Sequence, residues 1–325
     1  MTVLEWLKSV DEYQNAHKEF FGKFYSFVNA LFMAIHVLLV RVFNKQVNPT
    51  SIVNNEMVFS VLSTLYFNHL VQGEPLYSLQ KKKANILLAR GLIAFPGFTS
   101  NVLGSYFLPS QVFIVLNNSN MIFAILIAIF AIKKYPNRIV VGLIATFIFG
   151  VIVMIAPEWI GLKPKNANGE EKEYKFWMVF FPLVSGLSGG IITNLLQVYA
   201  SDISVFQNSF WFSLPMVLLT GLITSGRTDP EKYVQFNFRE VLCLPILGLL
   251  MTGCQITFSL ACKYEKRASV VTPILSANIL ITYLLDILLL GSKLSFVNAI
   301  GASIVFASIV GIALFRENNP VSDKK

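Results

Sequence analysis

The sequence predicts an all-α membrane protein: ten transmembrane helices arranged as two inverted five-helix repeats. Three observations predict it. The 325 residues are 54% hydrophobic and only 14% charged, with mean hydropathy +0.61; a soluble domain carries about 25% charge. Apolar runs long enough to cross a bilayer follow one another along the whole chain. Polar positions in the first half recur in the second at shifts of 153, 158 and 159 residues.

The runs come in order. Residues 1–21 are polar and mixed in charge, unlike a cleavable signal peptide. Val3, Trp6, Leu7, Val10 and Tyr13 recur at helical spacing there, which fits an amphipathic helix at the membrane surface as well as a loose tail. Spans 1 to 5 are predicted at 22–43, 51–71, 84–107, 110–132 and 138–156. A polar central loop, 157–174, follows. Spans 6 to 10 are predicted at 175–199, 203–224, 239–262, 267–290 and 295–315, with a short tail at 316–325. Trp159 and Trp177 flank the central loop, where interfacial aromatics belong.

Loop charge sets orientation. An even number of spans puts both termini on one side, and that side holds 15 of the 26 Lys and Arg; the other holds ten, and Arg90 lies inside span 3. The bias predicts both termini in the cytosol of an endomembrane or plasma-membrane protein. Most basic residues lie in short loops between apolar runs, which accounts for the net charge of +8 without nucleic acid. Cys243, Cys254 and Cys262 share one apolar span and read as small buried hydrophobes.

The halves resemble each other. Asn55, Phe59 and Ser60 fall on Asn208, Phe212 and Ser213; Asn120 falls on Asn278; Gly142 falls on Gly301. Five spans is an odd number, so the second copy must enter the membrane inverted. Many secondary transporters place a midplane site between such repeats. The two copies are predicted as domains at 22–156 and 175–315.

The stretches "LLARGLIAFPGF", "YFLPSQVFIVLNNSNMIFAILIAIF" and "CKYEKRASVVTPILSANILITYLLDILLLG" resemble the drug/metabolite transporter superfamily, in its EamA-domain and solute carrier family 35-like branches. The resemblance covers about residues 24–315. It implies a ten-helix carrier whose pocket is lined by spans 3, 4, 8 and 9. The Asn cluster stands where the family often has a proline. No lysine lies in span 9, so the GALNK-like motif of GDP-mannose carriers is absent.

Polar side chains inside spans mark the candidate site, because an unpaired amide in hydrocarbon costs several kcal/mol. Asn117, Asn118 and Asn120 interrupt span 4, and Asn117 and Asn120 share a helical face with Ala124. Span 9 carries Asn278, Thr282, Tyr283 and Asp286 on one half of its circumference. These residues and Arg90 are the candidate substrate ligands; interhelical hydrogen bonding is the competing role for the amides. Arg90 could grip an anion, snorkel to the surface or pair with Glu56. Asp286, His36 and Glu56 are candidates for proton or ion coupling. Asp286 could also be a solvated helix-end acid, and His36 could donate to a backbone carbonyl. Gly186 and Gly190 in "SGLSGG" predict close helix packing, with a hinge as the second role.

No metal-ligand spacing, phosphate loop or nucleophile–base pair is present, so neither an enzyme nor a cofactor is expected. The predicted function is secondary transport of a small polar metabolite by alternating access. The partners are that solute and the bilayer, with a homodimer left open. The alternatives are a nucleotide-sugar carrier of the Golgi or endoplasmic reticulum, and a non-transporting subunit or scaffold with the same fold.

Overall fold

The structure, a computed structural model, describes residues 13–43, 49–71, 73, 75–77, 81–108, 113, 116–133, 137–159, 176–199, 203–225, 238–290 and 296–314. Most of residues 1–21, most of the central loop and most of the tail 316–325 therefore lie outside the described residues. So does the side chain of Asp286, although its backbone is helical.

The described elements are helices. They are α1 (Lys18–Phe43), α2 (Pro49–Leu70), α3 (Lys81–Phe107), α4 (Asn120–Phe130), α5 (Arg138–Trp159), α6 (Phe180–Tyr199, after a 3-10 turn at Phe176–Val179), α7 (Val205–Ser225), α8 (Phe238–Tyr264), α9 (Ala268–Leu275), α10 (Asn278–Leu290) and α11 (Phe296–Leu314). Helix closes every backbone hydrogen bond within the segment, which is what a chain in hydrocarbon requires. Six stretches are long and apolar enough to cross a bilayer: Lys18–Val40, Lys83–Gly104, Trp177–Tyr199, Val205–Ile223, Leu244–Tyr264 and Ala268–Leu289. The chain is an integral multi-pass membrane protein.

Its surface exposes large apolar side chains, and its interior holds polar as well as apolar ones. Phe20, Phe27, Phe149, Leu218, Leu288 and Phe306 point outward and are exposed. Arg90, Glu56, His36, Asn208 and Ser60 are buried. Lipid solvates the first group and helix–helix contacts satisfy the second.

Two helix pairs set the frame. On α2 and α7, Ser60 Oγ meets Ser213 Oγ at 2.9 Å, Thr64 Oγ1 meets Ser209 Oγ at 2.9 Å, and Thr220 Oγ1 donates to Asn54 Oδ1 at 2.9 Å. Residue numbers rise on one helix as they fall on the other, so the two are antiparallel. On α5 and α11, Gly150 packs on Ile304 and Val305 while Gly311 packs on Leu143, again antiparallel. Around this frame α1 packs on α8 and α3 on α6. Gly248 of α8 lies on Phe59, and Thr252 on Ser60, so α8 runs with α2. Arg90 meets Asn208 and Phe98 meets Phe212, so α3 runs with α7.

The span predicted at 110–132 is not one continuous helix, nor is 267–290. Each breaks, at Asn118–Ser119 and at Ser276–Ala277. Asn and Ser side chains offer the backbone other partners and weaken a helix interior. The eleven residues of α4 rise about 16 Å, short of the ~30 Å hydrocarbon core.

Candidate functional site

The two breaks have the same bonding. Ser119 N–H donates to Leu116 O at 3.1 Å, Met121 N–H to Asn118 O at 3.2 Å and Phe123 N–H to Ser119 O at 3.0 Å. Moved on by 158 residues, Ala277 N–H donates to Ile274 O at 3.0 Å, Ile279 N–H to Ser276 O at 3.1 Å and Ile281 N–H to Ala277 O at 3.1 Å. Each break is a tight turn of two i to i−3 bonds before i to i−4 bonding resumes, and an asparagine, Asn120 or Asn278, follows it.

Glycine lets α6 lie directly on the first break. A Cβ on Gly186 would fall 2.2 Å from Ser119 Oγ, and one on Gly190 would fall 2.8 Å from the Ala124 nitrogen. Asn194 secures the contact by donating to Ala124 O at 2.8 Å. The Gly186–Gly190 spacing is thus a close-packing surface.

Beside the breaks lies a cavity of about 170 Å³. Asn117, Asn118, Asn120, Asn278 and Arg90, all candidates from sequence, line it. Thr282 and Tyr283 do not: Thr282 is buried in α10, and Tyr283 packs against the apolar cluster of α4, α5 and α11. A helix break before Asn278 turns them off the expected face. His36 and Glu56 also lie outside the lining.

Sequence reading missed α1, α6 and α7 as walls. Asn29, Ser185, Ser188 and Thr193 reach the cavity from α1 and α6, Phe212 from α7 and Gln255 from α8. One signal could have found several of them. Many lining residues pair at 156 to 158 residues: Asn29 with Ser185, Met33 with Gly189, Phe98 with Gln255, Asn101 with Phe258, Asn117 with Leu275, Asn120 with Asn278.

Hydrogen bonds hold the lining amides in place. Asn101 Nδ2 donates to Asn117 Oδ1 at 3.2 Å and to Ser185 Oγ at 3.5 Å. Asn29 Nδ2 donates to Cys254 O at 2.6 Å and Thr257 Oγ1 at 3.2 Å. Two carbonyl oxygens stay open: the buried Oδ1 atoms of Asn120 and Asn278 have no partner among the described residues. Such acceptors bind solvent or solute N–H and O–H groups.

Arg90 is fully buried, so it does not snorkel. Gly91 beside it abuts Pro215 and Trp211 O, which draws α3 onto α7. The guanidinium donates to Asn208 O at 2.7 Å and to Gln255 Oε1, and lies 4.7 Å above the Phe212 ring. Glu56 is not its partner. Glu56 Oε1 accepts from His36 Nε2 at 2.6 Å, both side chains being buried. His36 thus bonds a carboxylate and not a backbone carbonyl. That bond links α1 to α2, each of which packs on α8.

Two aromatic stacks lie beyond the cavity. Tyr25 and Tyr264 stack at 6.0 Å where α1 begins and α8 ends, and Phe107 and Phe181 at 6.2 Å where α3 ends and α6 begins. Because α8 runs with α2, α3 with α7, and α2 against α7, the stacks stand at opposite ends.

Comparison with known proteins follows from this geometry. Residues 176–314 match the model of the EamA-like transporter family. No curated protein matches the chain. A solved structure, described as the crystal structure of a protein, superposes with TM-score 0.69 at 13% identity, covering 91% of this chain and 96% of that one. The likeness at that identity is one of fold.

Proposed function

From a chain whose residues 176–314 belong to the EamA-like transporter family, we propose a secondary transporter for a small polar metabolite, built as ten spans in two inverted repeats. The observation that carries it is an amide-bearing cavity with lining residues in pairs 156 to 158 residues apart. Equivalent residues that converge on one cavity are what a two-fold axis through that cavity produces. The contact of Ser60 with Ser213, 153 residues apart, supports the same axis. So do the matched breaks, since discontinuous helices at the midplane are where inverted-repeat carriers hold their substrates.

The domain limits proposed are 22–156 and 175–315, with both termini cytosolic. Asn117, Asn118, Asn120, Asn278 and Arg90 are the proposed substrate ligands. Alternating access is a rocking of the halves about the cavity, and the equivalent aromatic stacks are its two closures. A cavity of about 170 Å³ is below the ~300–1,000 Å³ of pockets for drug-sized ligands. That favours a small metabolite over a nucleotide sugar. An open polar cavity also has a use in a carrier and none in a scaffold.

The test is counter-flow in liposomes holding the purified chain, with a labelled metabolite panel at two pH values. Exchange of at least one small polar solute is expected, reduced by Asn117→Ala and by Asn278→Ala in protein that still reaches the membrane. No exchange with any solute, or equal exchange in both variants, removes the assigned site.

A further inference from the structure

Resting on the transporter reading above, we propose that the cavity carries a monoanion together with one proton, and that the His36–Glu56 pair is the proton's site. Two buried charge centres argue for it. The first is Arg90, whose guanidinium keeps its proton in proteins. Its partners are a carbonyl, an amide and an aromatic ring, and no carboxylate pairs with it among the described residues. Its Nε is buried without a partner among the described residues. The second is Glu56, which gives one oxygen to His36 Nε2 and keeps the other, Oε2, buried without a partner among them. In the neutral tautomer that donates through Nε2, His36 Nδ1 holds a lone pair, and Nδ1 too is buried without a partner among the described residues.

The two centres back one wall. The His36 ring lies 6.3 Å from Phe98, Phe98 lies 6.4 Å from Phe212, and Arg90 covers Phe212. Phe98 and Phe212 line the cavity. Among the described residues, the other titratable groups near the pair are Arg90 from α3 and Cys254 from α8. Facing α2 from α7 are Ser209, Ser213 and Thr220, which do not titrate. Tyr283 of α10 packs in the other apolar cluster.

Charge balance then couples the ligands. With His36 neutral, Arg90 and Glu56 leave the empty site neutral. An anion alone makes it negative, and a proton alone makes it positive. Either net charge is costly away from water. Anion and proton together restore neutrality, so each raises the affinity for the other, and the coupling is reciprocal. The proton adds to the Nδ1 lone pair, giving imidazolium, and leaves to water on the opposite side. No covalent bond besides N–H forms or breaks. A neutral solute gains nothing from the proton, and a cation is repelled.

The full chain in liposomes tests this with labelled lactate, glutamate and gluconate as monoanions, glucose, uridine and alanine as neutral solutes, and lysine and choline as cations. The expected result is uptake of at least one monoanion. One pH unit, acid outside, drives about tenfold accumulation, a trapped pH dye records one proton per anion, and an imposed membrane potential changes nothing. Glu56→Gln lowers gradient-driven uptake at least about tenfold more than exchange at equal pH; His36→Gln gives the same split and serves if Glu56→Gln does not fold. Transport confined to neutral or cationic solutes overturns the inference and leaves the carrier standing. So does anion uptake indifferent to the gradient. If none of the eight probes moves even in counter-flow, the carrier reading and the inference fall together.

Discussion

Asn120 and Asn278 stand 158 residues apart in the chain, each the first residue of a helix that restarts after a two-residue break, and both line one cavity. Each keeps a buried Oδ1 without a partner among the described residues. A solute offering N–H or O–H groups would complete both. Asn120→Ala and Asn278→Ala should each raise KM about tenfold, since the loss of a hydrogen bond in a dry site is worth about 1–2 kcal/mol. Saturation curves for uptake check this; an unchanged KM in both assigns the amides to helix packing alone.

The α6–α4 contact depends on missing side chains. Gly186→Ala places a methyl 2.2 Å from Ser119 Oγ, and Gly190→Ala places one 2.8 Å from a backbone nitrogen. Overpacking of this kind costs about 1–3 kcal/mol. Gly142→Ala, with nothing within 4 Å, is the control and should unfold at the parent temperature. Thermal unfolding in detergent orders the three variants.

The aromatic stacks should open in turn. Cysteines replacing Tyr25 and Tyr264, or Phe107 and Phe181, joined by a short reversible cross-linker in a background free of native cysteines, are expected to stop uptake at either end. Reduction should restore it. Continued transport with one pair joined would show that end to be static. Gln14 spans the tyrosine stack, donating to Tyr25 at 2.6 Å and accepting from Tyr264 at 3.0 Å. Gln14→Ala should therefore speed reagent access at that end only.

The His36–Glu56 pair should be easier to replace whole than to halve. His36→Ala leaves a buried carboxylate alone and should cost about 3–5 kcal/mol; His36→Leu with Glu56→Met removes the carboxylate together with its partner and should restore most of that stability. Denaturation of the purified variants measures the difference. Equal losses in the single and double variants would mean that packing, not the unpaired carboxylate, sets the loss.

Much of the frame was legible in the sequence, for a physical reason. Hydrocarbon demands long apolar runs, so composition alone reveals spans, and the matches of Ser60 to Ser213 and Asn120 to Asn278 were visible as spacing. Arg90 and the Asn cluster stood out because polar residues in such runs are rare. Thr282 and Tyr283 were misplaced because helical periodicity was carried through a span that breaks at Ser276–Ala277. Asn29, Asn101 and Gln255 went unnoticed because a lone amide in an apolar run looks alike whether it ties helices together or faces a cavity.

By itself the sequence determined that this chain lives in a bilayer as helices, since solvent and backbone hydrogen bonding leave little choice. It also marked Arg90, Glu56 and the Asn cluster as polar groups inside apolar runs. Only the tertiary structure decided what each buried group touches. It gave Glu56 to His36 and not to Arg90, and it brought Ser119 under Gly186. Partners in a helical bundle are set by how helices cross, a property of residues on different helices that no local pattern records.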